Sequence, residues 1–292
     1  MLTWVAVAAV FLLMGLGNIV SATGSGLACP DWPLCHGRLI PPLRPDVLIE
    51  YGHRLAAVLA SVLLVATIVA TLRRSRETVT RAIARWLIAL LAVQISLGGI
   101  TVLLKLPHLI STAHLVNALL ILGGLLVLAA RERPPGEAAP TVARLARVGL
   151  AVLLVQLALG GYVRHSGAGL ACPDFPLCSG ELWPGHWLAV AHWVHRWLGI
   201  LLLGLFVHLG IAGRETRLAG VTWAIAALAV LQVGLGIATV LLRLEPPIRA
   251  AHALVGYALW GLLVWTAARA GERAGARAPV RDPALVGTRR LA

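Results

Sequence analysis

The hydrophobic positions of this chain are collected in long uninterrupted runs. Eight runs are visible, each about 20 residues long, which is the length at which an α-helix crosses the hydrocarbon core of a bilayer. They lie near residues 3–21, 48–72, 83–104, 110–130, 146–163, 187–212, 218–242 and 248–268. The pattern therefore predicts an all-α integral membrane protein with eight transmembrane helices. The first run lacks the basic stretch that opens a secretory signal peptide, so we expect it to be a retained helix.

The polar stretches between the runs occur in two versions. Residues 24–37 read GSGLACPDWPLCHG, and residues 167–180 read GAGLACPDFPLCSG. Residues 94–114 and 232–252 match in the same way, as do YGHRLA at 51–56 and WVHRWL at 193–198. Matches of this length indicate a duplicated unit. Each unit has four spans, so both copies enter the membrane from the same side, and we expect two parallel, pseudo-symmetric four-helix bundles.

The duplication also predicts the domain boundaries. The N-terminal half is expected at 1–130 and the C-terminal half at 146–270. Between them, residues 131–145 are polar and rich in proline, which is typical of a linker. Residues 271–292 form a basic tail.

Composition and charge placement support a membrane protein and predict its orientation. The chain is 59% hydrophobic and only 13% charged. Its net charge of +13 does not indicate nucleic-acid binding, because the basic residues are concentrated in every second connection between the spans. Fifteen arginines lie in every second connection and in the tail, at residues 73–81, 131–147, 213–217 and 271–292. The connections between these hold only five basic residues. Basic residues concentrate on the cytoplasmic side. We therefore expect a plasma-membrane protein with both termini cytoplasmic and the cysteine-containing loops outside.

Four histidines recur at one depth in the two halves. His53 and His114 lie in the second and fourth spans, and His195 and His252 lie in the sixth and eighth, each within about 8 Å of the outer boundary at a rise of about 1.5 Å per residue. Ionisable groups inside a span are costly and usually functional. Paired histidines on facing helices can hold haem iron. Zinc and copper also accept imidazole, but they would need further ligands that the two halves do not share.

Three arginines accompany these histidines. Arg54 and Arg196 directly follow His53 and His195, and Arg249 precedes His252 by three residues. A guanidinium at this depth could pair with a haem propionate, or it could extend to the lipid headgroups.

One difference between the halves involves a carboxylate. Glu50 stands three residues before His53, whereas His192 stands three residues before His195. Residues three apart share a helix face, so only the first half places a carboxylate beside its candidate ligand. This asymmetry favours an enzyme over a simple electron carrier, although an interfacial glutamate would leave the same pattern.

The four cysteines form one Cys-x5-Cys pair in each repeated loop. Disulfides persist on an oxidising outer face, and the loops are rich in proline and glycine, so a tight bridged turn is feasible. Redox exchange by the first pair and metal binding remain alternatives. The spacing differs from the Cys-x2-Cys-His of covalent haem attachment.

Together, the eight spans, two Cys-pair loops, the EYGHR and VHR motifs and the paired histidines resemble the haem A synthase family over nearly the whole chain. This resemblance implies oxidation of the C8 methyl group of haem O to a formyl group by two successive hydroxylations, with haem b as electron-transfer cofactor. It implies that His195 and His252 hold haem b, and that His53 and His114 line the substrate haem site. Glu50 corresponds to the family's functional glutamate. Cys29–Cys35 and Cys172–Cys178 correspond to its disulfides.

The resemblance also implies haem O synthase and the assembly of terminal oxidases as partners, in addition to the lipid bilayer. Two other functions fit parts of the pattern: a diheme b-type electron-transfer cytochrome and a haem transporter or chaperone. A cytochrome that moves electrons across the membrane would need a second haem near the inner face, and a transporter would need binding sites near the middle of the membrane. The four histidines at the outer level favour neither.

Overall fold

The computed structural model describes residues 1–134 and 136–271, and within these it confirms the predicted eight-helix architecture. All eight helices are long and apolar enough to cross a membrane, so the chain is a multi-pass membrane protein. The helices are α1 Leu2–Ala22, α2 Pro45–Arg74, α3 Thr78–Leu103, α4 His108–Arg131, α5 Pro140–His165, α6 Trp187–Gly213, α7 Ala219–Leu241 and α8 Pro246–Ala270. The predicted basic tail lies outside the described residues, apart from Gly271.

Several helices begin before the apolar runs that predicted them. Pro45, Pro140 and Pro246 occupy the first helical position of α2, α5 and α8. Proline suits this position because its missing N–H would have no partner there and its φ is already helical. Helix α5 therefore begins inside the stretch predicted as a linker at 131–145. The non-helical connection ends at Ala139.

The helices pack as two groups of four. Helices α1 to α4 contact one another around a ring, and α5 to α8 do the same. The groups meet through the first and last helix of each, since α4 packs on α5 and α8, and α1 packs on α8. At the centre of this interface the Trp260 indole N–H donates to the carbonyl oxygen of Leu119 over 2.8 Å. The connections α1–α2, α3–α4, α5–α6 and α7–α8 all lie at one end, called here the Cys-loop end.

Candidate functional site

Each of the four predicted histidines lies at a matching position near the Cys-loop end. His53 and His195 are eight residues from the start of α2 and α6, and His114 and His252 are six residues from the start of α4 and α8. Each ring lies against a glycine of the preceding helix. The pairs are Gly17 with His53, Gly98 with His114, Gly160 with His195, and Gly236 with His252.

These glycines are required by the close approach of the rings. A Cβ atom at the four glycines would lie 2.9, 3.3, 2.7 and 3.1 Å from the facing histidine Cε1, in the order given above. Any side chain there would displace the imidazole. These glycines were not predicted from the sequence. They do recur in the repeats, however, since LGN at 16–18 matches LGG at 159–161, and LGG at 97–99 matches LGI at 235–237.

In the second half the two histidines face each other. The ring centroids of His195 and His252 lie 6.4 Å apart, and the ring planes make an angle of 78°. Imidazole nitrogens bind metal ions at about 2.0–2.1 Å, so two rings on opposite sides of one ion place their centroids roughly 6 Å apart. The spacing therefore fits one metal ion between the two rings.

These rings border a cavity of ≈ 370 Å³ that lies mainly among the second group of helices. Its walls are mainly aliphatic, with Leu153, Val233 and Ile237 among them, and Arg164, Arg196 and Arg249 supply cationic groups. The volume lies in the range of small-molecule and cofactor pockets, which is about 300–1,000 Å³. A mostly apolar wall with a few cations suits a flat apolar ligand with an anionic edge.

The main-chain carbonyl of Gln232 fixes the tautomer of His252. The Nδ1 atom of His252 lies 3.1 Å from the carbonyl oxygen of Gln232, which can only accept a hydrogen bond. Nδ1 therefore carries the proton, and Nε2 presents a lone pair, as metal binding requires. The Gln232 amide lies 3.4 Å from that Nε2, and Gln94 lies 3.3 Å from His114 Nε2 in the first half.

Two arginines of the cavity have no carboxylate partner among the described residues. Arg164 donates to the side-chain and backbone oxygens of Asn18, and Arg249 donates to the carbonyl oxygen of Ala22 over 2.8 Å. The Nε atom of each is buried without a hydrogen-bond partner. Both side chains are partly buried, and a partly buried cation with an unpaired N–H group is stabilised by an anion. Both therefore point to an anionic ligand, and Arg164 was not singled out from the sequence.

The other two predicted arginines bind the Cys loops. Arg54 donates to the carbonyl oxygens of Asp31, Leu34 and Cys29 at 2.7, 2.6 and 3.1 Å. Arg196 makes the equivalent bonds to Asp174, Leu177 and Cys172. Their guanidinium groups thus hold each loop on its helix, although Arg196 also borders the cavity.

Glu50 and His192 occupy equivalent positions in these loop contacts. Glu50 is buried, accepts the Cys29 N–H at Oε2 over 2.8 Å, and pairs with Arg54 over 2.6 Å. His192 lies 3.4 Å from the Cys172 N–H through Nδ1 and 3.3 Å from the Arg196 Nε through Nε2. Both side chains therefore connect loop and helix, and only Glu50 adds a negative charge.

The loops themselves are built alike. Disulfides join Cys29 to Cys35 and Cys172 to Cys178. Asp31 accepts the N–H groups of His36 and Gly37, and Asp174 accepts those of Ser179 and Gly180.

These bonds change the pH range in which the loop carboxylates are charged. The Gly37 N–H, followed by that of His36, holds the pKa of the Asp31 carboxyl below its usual 3.8. The N–H groups of Ser179 and Gly180 do the same for the pKa of Asp174. Because the folded-state pKa values are lowered, this stabilisation is present above pH 3.8 and is lost as pH falls through the lower folded values.

Comparison with known proteins places these features in a family. The family model COX15-CtaA, described as cytochrome oxidase assembly protein, matches residues 1–48 and 43–264. A protein of Bacillus licheniformis named haem A synthase is 31% identical over 278 residues, covering 89% of this chain and 91% of its own length. A haem A synthase of Symbiobacterium thermophilum is 34% identical, covering 76% and 79%. One of Geobacillus thermodenitrificans is 30% identical, covering 88% and 86%. The chain therefore belongs to the COX15-CtaA family of cytochrome oxidase assembly proteins.

Proposed function

We propose that this protein is a haem A synthase, an oxidoreductase that converts the C8 methyl group of haem O to a formyl group. The observation that carries the proposal is the facing pair of His195 and His252 beside a cavity with two arginines, each of which has a buried Nε atom without a hydrogen-bond partner. The similarity to relatives named haem A synthase over most of both chains supports it.

The second half fits haem b as the resident cofactor. His195 and His252 would bind its iron, because Nε2 of His252 presents its lone pair and the ring spacing suits one ion. Arg164 and Arg249 would neutralise the propionates, which supply the anionic charge that these guanidiniums lack among the residues the structure describes. Bound haem b would supply electron transfer.

The first half is the proposed substrate site. His53 and His114 line it, each held against a glycine as in the second half. The repeat places Ser21 and Ser111 where the second half has Arg164 and Arg249. A site without these two cations binds an anionic haem less tightly, which suits a substrate that must leave as product.

The reaction itself is two hydroxylations of one methyl group, after which the gem-diol loses water to leave the aldehyde. Each hydroxylation requires proton movement at the substrate. Glu50, three residues from His53, is the carboxylate placed to hold or move that proton. The Cys29 N–H and Arg54 fix its two oxygens, so its position is defined before substrate binds.

Haem extraction tests the proposed function. Cells that express this chain together with a haem O synthase should contain haem A, identified by the mass of the extracted pigment. Cells that express haem O synthase and carry an empty vector in place of this chain provide the control and should contain haem O. Haem O alone in both cultures would refute the assignment.

Orientation in the plasma membrane is part of the proposal. The concentration of arginines at the end opposite the Cys loops predicts that both termini are cytoplasmic and that the disulfides and histidines lie toward the outer face. A reporter that is active only in the cytoplasm should be active when it is fused after residue 292. Activity of an exported reporter at that position would reverse the orientation.

A further inference from the structure

We propose that an apolar groove between α2 and α3 receives the isoprenoid tail of haem O, an inference that rests on the proposed function. The groove is lined on α2 by Val65, Ala66, Val69 and Ala70, and on α3 by Leu91 and Ile95. The α2 residues recur at intervals of three and four, so they form one stripe along the helix. Because these side chains are short, the stripe is a depression between the two helices.

In the second half, the helices equivalent to α2 and α3 are α6 and α7, and these two helices pack closely against each other. A Cβ on Gly210 would lie 3.2 Å from the Trp223 ring, and one on Gly213 would lie 2.5 Å from Thr222 Oγ1. The offset of 142 residues between His53 and His195 places Ile68 and Thr71 at the equivalent positions of α2. The first half therefore lacks the two glycines that allow α7 to approach α6.

The difference follows the chemistry of the two proposed ligands. Haem b has only short apolar substituents, whereas haem O carries a hydroxyethylfarnesyl chain. The half proposed to bind haem O has the open groove, and the half proposed to bind haem b has closely packed helices. The internal repeat thus provides its own comparison for a tail-binding site.

The groove also has a suitable depth and length. Ile95 lies at the level of the substrate site, since the preceding residue of α3, Gln94, contacts His114 through its amide. From Ser61 to Arg73 the groove runs along twelve residues of α2, or about 18 Å, away from the Cys-loop end. A farnesyl chain is roughly 15 Å long when extended, given carbon–carbon bonds of about 1.5 Å. The propionates lie on the opposite edge of the porphyrin and would then point toward the Cys-loop end.

The main effect of the groove is on orientation. Lipid chains are as apolar as aliphatic side chains, so moving the tail from the bilayer into the groove gains little hydrophobic energy. Blocking the groove would weaken haem O binding for a different reason, because the tail of a bound porphyrin would then collide with the filling side chain. However, a porphyrin can enter a pocket in two orientations that exchange its C8 and C5 methyl groups. A tail directed into one groove permits only one of them. The groove would therefore determine which methyl group is oxidised.

Filling the groove tests the proposal. Val65→Trp places an indole in it at a side chain that is already 46% exposed, so folding should be preserved. Val207→Trp is the matched control, since Val207 is the equivalent residue of α6 and is 36% exposed. Val69→Trp, further along the groove, provides a second test variant. Each protein, with its second-half site loaded, is titrated in lipid nanodiscs with haem O and with haem B, which lacks the tail.

Val65→Trp and Val69→Trp should raise the Kd for haem O at least tenfold and leave the Kd for haem B within twofold of the parent. Val207→Trp should change neither value. An unchanged Kd for haem O would overturn the proposal and assign the groove to membrane lipid. An equal rise for both haems would also overturn it, because the porphyrin pocket would then be affected. The proposed function fails separately, if the unsubstituted protein produces no haem A.

Discussion

Replacing His252 by alanine is expected to abolish stable binding of haem b. The substitution removes one of the two imidazoles that lie 6.4 Å apart across the proposed iron position. Loss of a residue that merely orients a metal ligand costs about 10–100-fold in affinity, so loss of the ligand itself should cost at least that much. Haem content per protein, measured from the pyridine haemochrome after purification, should fall at least about tenfold, and the low-spin spectrum should disappear.

His208→Ala is the matched control for this experiment. His208 lies on α6, like His195, but is exposed and outside the cavity lining. Its removal should leave the haem content unchanged. A normal low-spin spectrum in purified His252→Ala would contradict the assignment of the second-half pair.

Substituting Glu50 by glutamine is expected to reduce conversion of haem O strongly while retaining haem b. Glutamine has nearly the same shape and can still accept the Cys29 N–H, but it cannot take up and release a proton at a useful pKa. General acid–base assistance is typically worth about 10²–10⁴ in rate, so a loss in that range should follow if proton transfer limits turnover. Product formation is followed by chromatography of extracted haems, and accumulation of the alcohol would place Glu50 in the second oxidation.

The structure supplies a control for the loop-binding role of Glu50. His192 occupies the equivalent position between its loop amide and arginine, so His192→Gln changes a loop contact of the second half without removing a carboxylate. It should retain most of the parental rate. Conversion at the parental rate by Glu50→Gln would show that Glu50 only connects the loop to α2. Because His192 borders the second-half cavity, an equal loss in both variants would point to the same conclusion when the haem b content of each is unchanged.

The helices could be predicted from the sequence because the bilayer imposes a simple rule on it. Every span needs about 20 apolar residues, and the eight runs show this directly. The ends were less accurate, because helices extend beyond the hydrocarbon into polar residues. Pro140 illustrates this, since a polar, proline-containing stretch reads as a linker but begins α5.

The candidate site was predictable where it depended on repetition and missed where it depended on distant contacts. The four histidines recur between the halves, so they could be recognised. Arg164 could not be, since its counterpart is Ser21 and its partner Asn18 lies 146 residues away. The loop-binding role of Arg54 was also hidden, because its carbonyl partners depend on how the loop folds over the helix.

The contacts between the two helix groups pair equivalent helices of the sequence repeat. Helix α4 meets α8, and the contact of α1 with α8 has its counterpart in that of α5 with α4. This pairing is the one expected if a four-helix subunit met an identical copy through an isologous interface. In a homodimer, every substitution would appear in both sites. Because the two halves are joined in one chain before Pro140, they are always present in equal amounts, and each can change its sequence independently. Arginines could therefore arise at 164 and 249 in one site while the other site has serines at 21 and 111.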